Sequence, residues 1–243
     1  MRFGILAHSS EGAALCYLTF CREGAAEMGR YMHPDVMLDC TAMARAMPAW
    51  EAGDYQAVRS IMAESIERLA GGGCDFFACP DNTAHIALEE DGPAFAIPGL
   101  NIADVVAEQA SAAGMTRVAV LGTRFTMAGP VYRRALPAVG IEPRFPLESE
   151  RSDIDRIIFD ELVEGVFSDG SRQRYLKIIE RMKREEECDG VALVCTEIPL
   201  LVSSEVSPLP VLDSTRLLAR AAFEVCAGKR AFPSWRGGPV NGR

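Results

Sequence analysis

The sequence has no Cys-x-x-Cys pair, only three histidines, and no apolar run long enough to cross a bilayer. The nearest cysteine pairs, Cys16/Cys21 and Cys74/Cys79, lack a further Cys or His at zinc spacing, so no metal site is expected. A basic excess is missing too. Lys and Arg number 25 against 34 Asp and Glu, a formal net charge of -9. Such a chain is repelled by phosphate backbones and anionic lipid, so neither a nucleic acid nor a membrane is expected as a partner. At the N-terminus, MRFGILAHSSEG has one arginine and a short apolar run, too little for a signal peptide. The eight cysteines are then expected as reduced thiols in a cytoplasm, most of them as small buried hydrophobes.

What the chain has is apolar material, 49% of its residues, enough to bury a core over 243 positions. It is ordered as alternating strands and helices. RFGILAH (2–8) reads as a buried strand and SSEGAALCYLTFCREGAAEMG (9–29) as a capped helix. DVMLDC (35–40) is a second strand. A helix over 55–73 follows, with Val58, Ile61, Met62, Ile66 and Leu69 at helical spacing and a glycine stop. CDFFACP (74–80) is a third strand, and NTAHIALEE (82–90) opens another helix. The second half repeats the plan: strand RVAVLGT (117–123), helix FTMAGPVYRRAL (125–136), helices over 157–167 and 172–187, strand CDGVALVC (188–195), then TEIPLLV (196–202). This alternation predicts an α/β fold with mostly parallel sheets flanked by helices.

The repeat has a measurable offset. Ala7 and Gly122 end the first strand of each half, and Tyr17 and Tyr132, both expected as core-facing helix residues, lie ten positions later; each pair is 115 apart. Cys74-Asp75 and Cys188-Asp189 open the later strands and are 114 apart, which pairs Asp81 with Cys195, Asn82 with Thr196 and Thr83 with Glu197. Two pseudo-symmetric domains are therefore expected, with the active site in the cleft between them at the carboxyl ends of their strands. Residues 1–98 with a returning helix at 212–226 would form the first domain and 99–211 the second. The tail 227–243, rich in Gly, Pro and Arg, has no periodicity and is expected to be mobile or irregularly packed, with Trp235 as a possible anchor.

DNTAH (81–85), CTEIPLL (195–201), GMTRVAVLGTRFTM (114–127) followed by Tyr132, and RIIFDELVEGVF (156–167) together resemble the cofactor-independent aspartate/glutamate racemase superfamily, over roughly residues 1 to 226. The resemblance implies no cofactor, a small carboxylate or amino-acid substrate, and a homodimer. Two residues, usually cysteines, would face opposite sides of the substrate α-carbon, one removing the α-proton and the other returning a proton. By position these are Asp81 and Cys195. Backbone N–H groups at the helix starts after them, with Asn82, Thr83 and Thr196, would hold the carboxylate as charge develops on it. Glu197 would orient the thiol or the substrate ammonium, and Ser9, Glu11 and Thr123 would line the site.

Three departures from the family pattern stand out. Asp81 replaces the first cysteine, Ala7-His8 replaces a Gly-Gly, which brings His8 and Ser10 near the mouth, and Phe167 stands where some aspartate racemases carry a lysine. Arg45 is the remaining candidate cation for a substrate carboxylate.

Each site residue also has a plainer reading. Asp81 before a helical run is a natural N-cap, Glu197 a favourable first-turn acid, Glu11 a helix N-terminal acid and His85 a packing residue. For Cys195 a following helix start would favour the thiolate, whereas Cys79 reads as core. An ordinary carboxylate has roughly 6 kcal/mol less drive to take a proton than an ordinary thiolate, so Cys195 is expected as the competent base and Asp81 as the weaker partner. The reaction expected is racemisation or epimerisation. Decarboxylation or cis–trans isomerisation by Cys195 alone, or small-acid binding without turnover, are the alternatives.

Overall fold

The computed structural model describes residues 1–237. The chain divides into two compact units, Met1–Ile102 with the segment from Thr215 onward, and Ala103–Ser214. The crossings lie at 102/103 and 214/215 rather than at 98/99 and 211/212. Two very short strands account for the difference, since each completes the sheet of the unit it leaves.

In the first unit β1 (Phe3–Ala7), β2 (Val36–Cys40), β3 (Phe76–Ala78) and β4 (Gly99–Leu100) form a parallel sheet in the order β2-β1-β3-β4. The central strands, FGILA and FFA, carry no charge and are buried throughout, as parallel strands covered on both faces are. Helix α1 (Ser10–Met28) follows β1, the one-and-a-half-turn α2 (Met47–Ala52) follows β2, and α3 (Tyr55–Gly71) leads to β3. Asp54 caps α3 by accepting the Ala57 N–H at 2.9 Å, and Val58, Met62, Ile66 and Leu69 form its buried stripe.

Helix α1 turns Ala13, Cys16, Phe20 and Gly24 inward. Phe20 lies 5.0 Å from Phe3 and 6.3 Å from Phe223, and burying such a ring contributes about 2–3 kcal/mol. Tyr17 is a correction: it is 40% exposed, because Cys16 takes the inward position that the same spacing could have given to Tyr17. Its counterpart Tyr132 is fully buried, as expected.

The second unit repeats the first. Strands β5 (Arg117–Leu121), β6 (Glu142–Arg144), β7 (Gly190–Leu193) and β8 (Val211–Asp213) run parallel in the order β6-β5-β7-β8. Its core joins Leu121, Ile154, Ile158, Tyr175, Ile179, Val191 and Ile198. Register reproduces the sequence offset. Phe3 pairs with Phe76 and Val118 with Gly190, so the central strands are 115 apart and the following strands 114. A pair of hydrogen bonds repeats with it. Asp75 accepts the Arg2 N–H at 2.7 Å and returns its own N–H to the Arg2 carbonyl; Asp189 accepts the Arg117 N–H at 3.0 Å and returns its own to the Arg117 carbonyl.

The helices of this unit correct the sequence reading in two places. The helix expected over 125–136 is broken at Gly129-Pro130 into α6 (Arg124–Ala128) and α7 (Val131–Ala138), Pro130 lacking the N–H a continuous helix would need. The helix expected over 157–167 is the end of α8 (Glu148–Ile157), which runs into a single π turn at Ile158–Leu162, with the Val163 N–H reaching back to the Ile158 carbonyl. Helices α5 (Ile102–Ala112) and α9 (Asp169–Glu185) complete the flanks, and α11 (Ser214–Cys226) returns the chain to the first unit.

The tail packs irregularly but in a defined place. Trp235 pairs with Gly99 on edge strand β4, and the Phe95 N–H meets the Arg236 carbonyl at 2.7 Å. That edge is thereby covered, which removes a template for pairing with another chain. The last part of the expected tail, residues 238–243, lies outside the described residues. Among the described residues no helix is long and apolar enough to cross a membrane, and no three His, Cys, Asp or Glu side chains gather as a metal-binding group.

Asp189 also gives a stability prediction. Burial acts to raise its carboxyl, but the Thr116 hydroxyl at 2.7 Å and the Thr116 and Arg117 N–H groups outweigh it and hold it below the ordinary value. A depressed folded pKa stabilises above the unfolded value of about 3.9 and ceases to do so as pH falls through the folded value. Asp189→Asn is expected to lose about 1–2 kcal/mol at neutral pH, measured by urea unfolding, with the deficit shrinking below pH of about 3.9. A deficit unchanged at acid pH would mean the carboxylate charge is irrelevant.

Candidate active site

Parallel sheets of this kind bind ligands beyond the carboxyl ends of their strands, where the chain turns into loops and exposes backbone N–H groups. In the first unit that edge begins with His8, Ser9 and Ser10 after β1. The β1–β3 register ends at Ile5 and Ala78, and His8 and Asp81 each lie three residues beyond that last pair. After β3 the chain runs Cys79, Pro80, Asp81, Asn82 and Thr83 into the short helix α4 (Ala84–Leu88).

Asp81 is partly buried, and one of its carboxylate oxygens accepts the Ala84 N–H at 3.2 Å. It therefore does cap the turn. His85, fully buried, fixes the same loop from below: its Nε2 accepts the Ile102 N–H at 3.3 Å, which leaves Nδ1 to donate to the Asp81 carbonyl at 2.8 Å. The Trp235 ring stacks on this imidazole at 5.7 Å. Asn82 is buried beside the loop and Thr83 begins the helical backbone.

The second unit builds the matching edge from Thr123 after β5 and from Cys195, Thr196 and Glu197 after β7, before the one-turn helix α10 (Ile198–Leu201). Thr123 and Cys195 likewise each lie three residues beyond the paired Val120 and Ala192. Asp81 and Cys195 thus lie three residues past equivalent strand positions, Ala78 and Ala192. Gly122 makes the approach possible, because a Cβ there would meet the Val194 carbonyl oxygen at 2.9 Å and its side chain at 2.7 Å. The Cys195 thiol donates to the Glu197 carboxylate at 2.9 Å, and Glu197 and Thr196 are both buried. Below them Tyr175 is buried with its hydroxyl bonded to the Ile154 carbonyl at 3.4 Å, and burial, with Cys195 nearby, pushes that phenol well above its ordinary range.

The remaining expected site residues divide. Thr123 spends its hydroxyl on the Thr126 N–H at 3.2 Å, capping α6. Ser9 occupies the N-cap of α1 without a side-chain capping bond, and exposed Glu11 accepts from the Ser10 hydroxyl at 2.7 Å. Arg45, in a 3-10 turn after β2, pairs with Glu64 at 2.8 Å. Its charge is already met by a carboxylate. The expected helix dipoles are short, five residues in α4 and four in α10, so the loops contribute individual N–H groups rather than a long macrodipole. Cys79 is fully buried, and burial followed by the Asp81 charge pushes its thiol well above the ordinary range, as suits a core residue.

One neighbour of the site was missed. Trp50 in α2 donates its indole N–H to His8 Nε2 at 3.1 Å across 42 residues of sequence. The only signal was a tryptophan, one of two in the chain, in the short helix that follows β2.

The profile of the Asp/Glu/hydantoin racemase family matches residues 18–222. The broad specificity amino-acid racemase RacX of Bacillus subtilis strain 168 is 24% identical over 170 residues, 69% of this chain and 72% of that one. A Yersinia pestis structure assigned provisionally as an Asp/Glu racemase superposes with a TM-score of 0.86 at 28% identity, covering 93% of this chain and 99% of that one. An aspartate racemase homologue from Pyrococcus horikoshii OT3 gives 0.81 at 25% identity, with the same 93% and 99% coverage. The family profile takes in the whole second sheet, three of the four strands of the first and both strand-end motifs, and the chain belongs to the Asp/Glu/hydantoin racemase family.

Proposed function

We propose that this protein is an amino-acid racemase, an isomerase that works without a cofactor, with Asp81 and Cys195 as its two acid–base groups. Family membership supports the reaction, and the relative named as a broad specificity amino-acid racemase supports an amino-acid substrate. The observation that carries the residue assignment is the equivalent place of Asp81 and Cys195 in two units of identical strand order and register.

In the proposed reaction Asp81 and Cys195 act on opposite faces of the substrate α-carbon. Cys195 as thiolate takes the α-proton, and the C–H electron pair moves into the substrate carboxylate as an enediolate. Asn82, Thr83, Thr196 and the N–H groups of the two loops donate to that developing charge. Asp81, protonated, returns a proton from the opposite side, and the enantiomer forms. Glu197 holds the resting thiol through its 2.9 Å hydrogen bond and takes the thiol proton as Cys195 becomes the thiolate. We take the enzyme to act as a homodimer in the cytoplasm, a reading supported by eight cysteines outside any disulfide and by exposed apolar side chains such as Tyr17, Leu18 and Phe159.

The test is incubation of single enantiomers of a broad amino-acid panel in deuterated water. Optical rotation should decay toward zero and the product enantiomer should carry α-deuterium. Absence of both inversion and exchange across the panel would remove the proposal.

A further inference from the structure

At the first-unit edge one polar side chain is more than nine-tenths buried yet has a donor to spare. His8 is 8% exposed, and its Nε2 accepts the Trp50 indole N–H, so the ring is held as the neutral tautomer with the proton on Nδ1. Among the described residues that Nδ1–H has no partner. Trp50 lies with its ring centroid 6.0 Å from His8 and 5.6 Å from Tyr55, half-buried on the unit's core, so part of its surface remains open. His8 follows β1 and Asp81 follows β3, the strand that pairs with β1, at the same carboxyl edge of the sheet.

Charge at this edge is one-sided. Its loops and first helical turn carry Asp81 and Glu11, while the arginines after β2 and on α3 are spoken for: Arg45 by Glu64 at 2.8 Å, and Arg68 by both oxygens of Asp39 at 2.9 and 2.7 Å and by the Thr41 hydroxyl. A substrate side chain bearing a carboxylate would meet a neutral imidazole here in place of a cation. An aromatic or other large uncharged side chain would meet ring surface and one N–H donor.

We infer that His8 and Trp50 form the side-chain selector of this enzyme, and that its substrates are amino acids with large uncharged side chains, aromatic ones foremost, rather than aspartate or glutamate. This rests on the racemase reading for its rate measurements but not for its binding measurement.

The experiment has two arms. In the first, kcat/KM is measured for both enantiomers of phenylalanine, tyrosine, alanine, aspartate and glutamate. The aromatic substrates are expected to exceed the acidic ones about tenfold or more, and Trp50→Ala to lower the phenylalanine-to-alanine ratio about tenfold, chiefly through KM, with the milder Trp50→Phe losing less. A preference for aspartate or glutamate, or an equal loss for alanine and phenylalanine in both Trp50 variants, overturns the inference. In the second arm, Trp235→Phe leaves Trp50 as the sole indole, and its fluorescence is titrated with phenylalanine and with aspartate. Saturable quenching by phenylalanine in preference to aspartate upholds the selector even if no amino acid is racemised; quenching by aspartate instead, or by neither, overturns it.

Discussion

Replacing Cys195 by alanine is expected to lower racemisation of either enantiomer by about 10²–10⁴-fold. Removal of Sγ deletes the base proposed for one face of the α-carbon, and Asp81 is the group proposed for the other. Cys195→Ser is the sharper variant. Its hydroxyl preserves a donor to the buried Glu197 carboxylate, so melting temperature should stay near the wild-type value while turnover falls in the same range. In Cys195→Ala that carboxylate loses its thiol donor, so some stability should go with the activity. Polarimetry on both enantiomers, with a melting curve for each variant, separates the two effects. Wild-type turnover in the serine protein would exclude the thiol from the reaction.

Asp81→Asn is expected to abolish inversion by about 10²-fold or more while leaving the fold intact, because the amide oxygen can still accept the Ala84 N–H that now meets the carboxylate at 3.2 Å. Two different groups serving two faces give a further signature. The enantiomer whose α-proton faces Cys195 should still exchange with deuterated water in the asparagine variant, without inverting. Asp81→Cys should restore a pair of thiols and raise the rate in the direction Asp81 limits, provided the shorter side chain still reaches. Turnover and a pH profile untouched by Asp81→Asn would leave the carboxylate a cap and nothing more.

The parts of the fold that were legible in the sequence are those where one physical constraint acts alone. FGILA, FFA, RVAVL and GVAL are uninterrupted apolar runs because helices cover both faces, and each reads directly as a central strand. The outer strands β4, β6 and β8 have two or three residues each, too few to show any period, and their existence depends on the neighbour they pair with. The polar start of α8, ESERSDID, concealed a helix whose apolar side begins only at Ile154. Gly129-Pro130 did announce a break, and the apolar spacing on either side overrode it in the reading. At the site, Asp81 and Cys195 could be paired because a duplication fixes them by counting. Trp50 could not, since its bond to His8 is made by the tertiary fold and leaves no local pattern.

The division of the chain has a consequence for how the protein is made. Residues 103–214 are continuous, and the whole β6-β5-β7-β8 sheet lies within them, so this unit can close once Ser214 has left the ribosome. The first unit is split. Its strands are synthesised first, yet Phe223 of α11, which packs on Phe20, and Trp235, which covers the edge of β4, arrive last. The earliest part of the chain therefore waits with an apolar face and a strand edge open to water, and its contacts span more than two hundred residues. Slow, late consolidation of the first unit, with exposure to aggregation before it, follows from that order of synthesis.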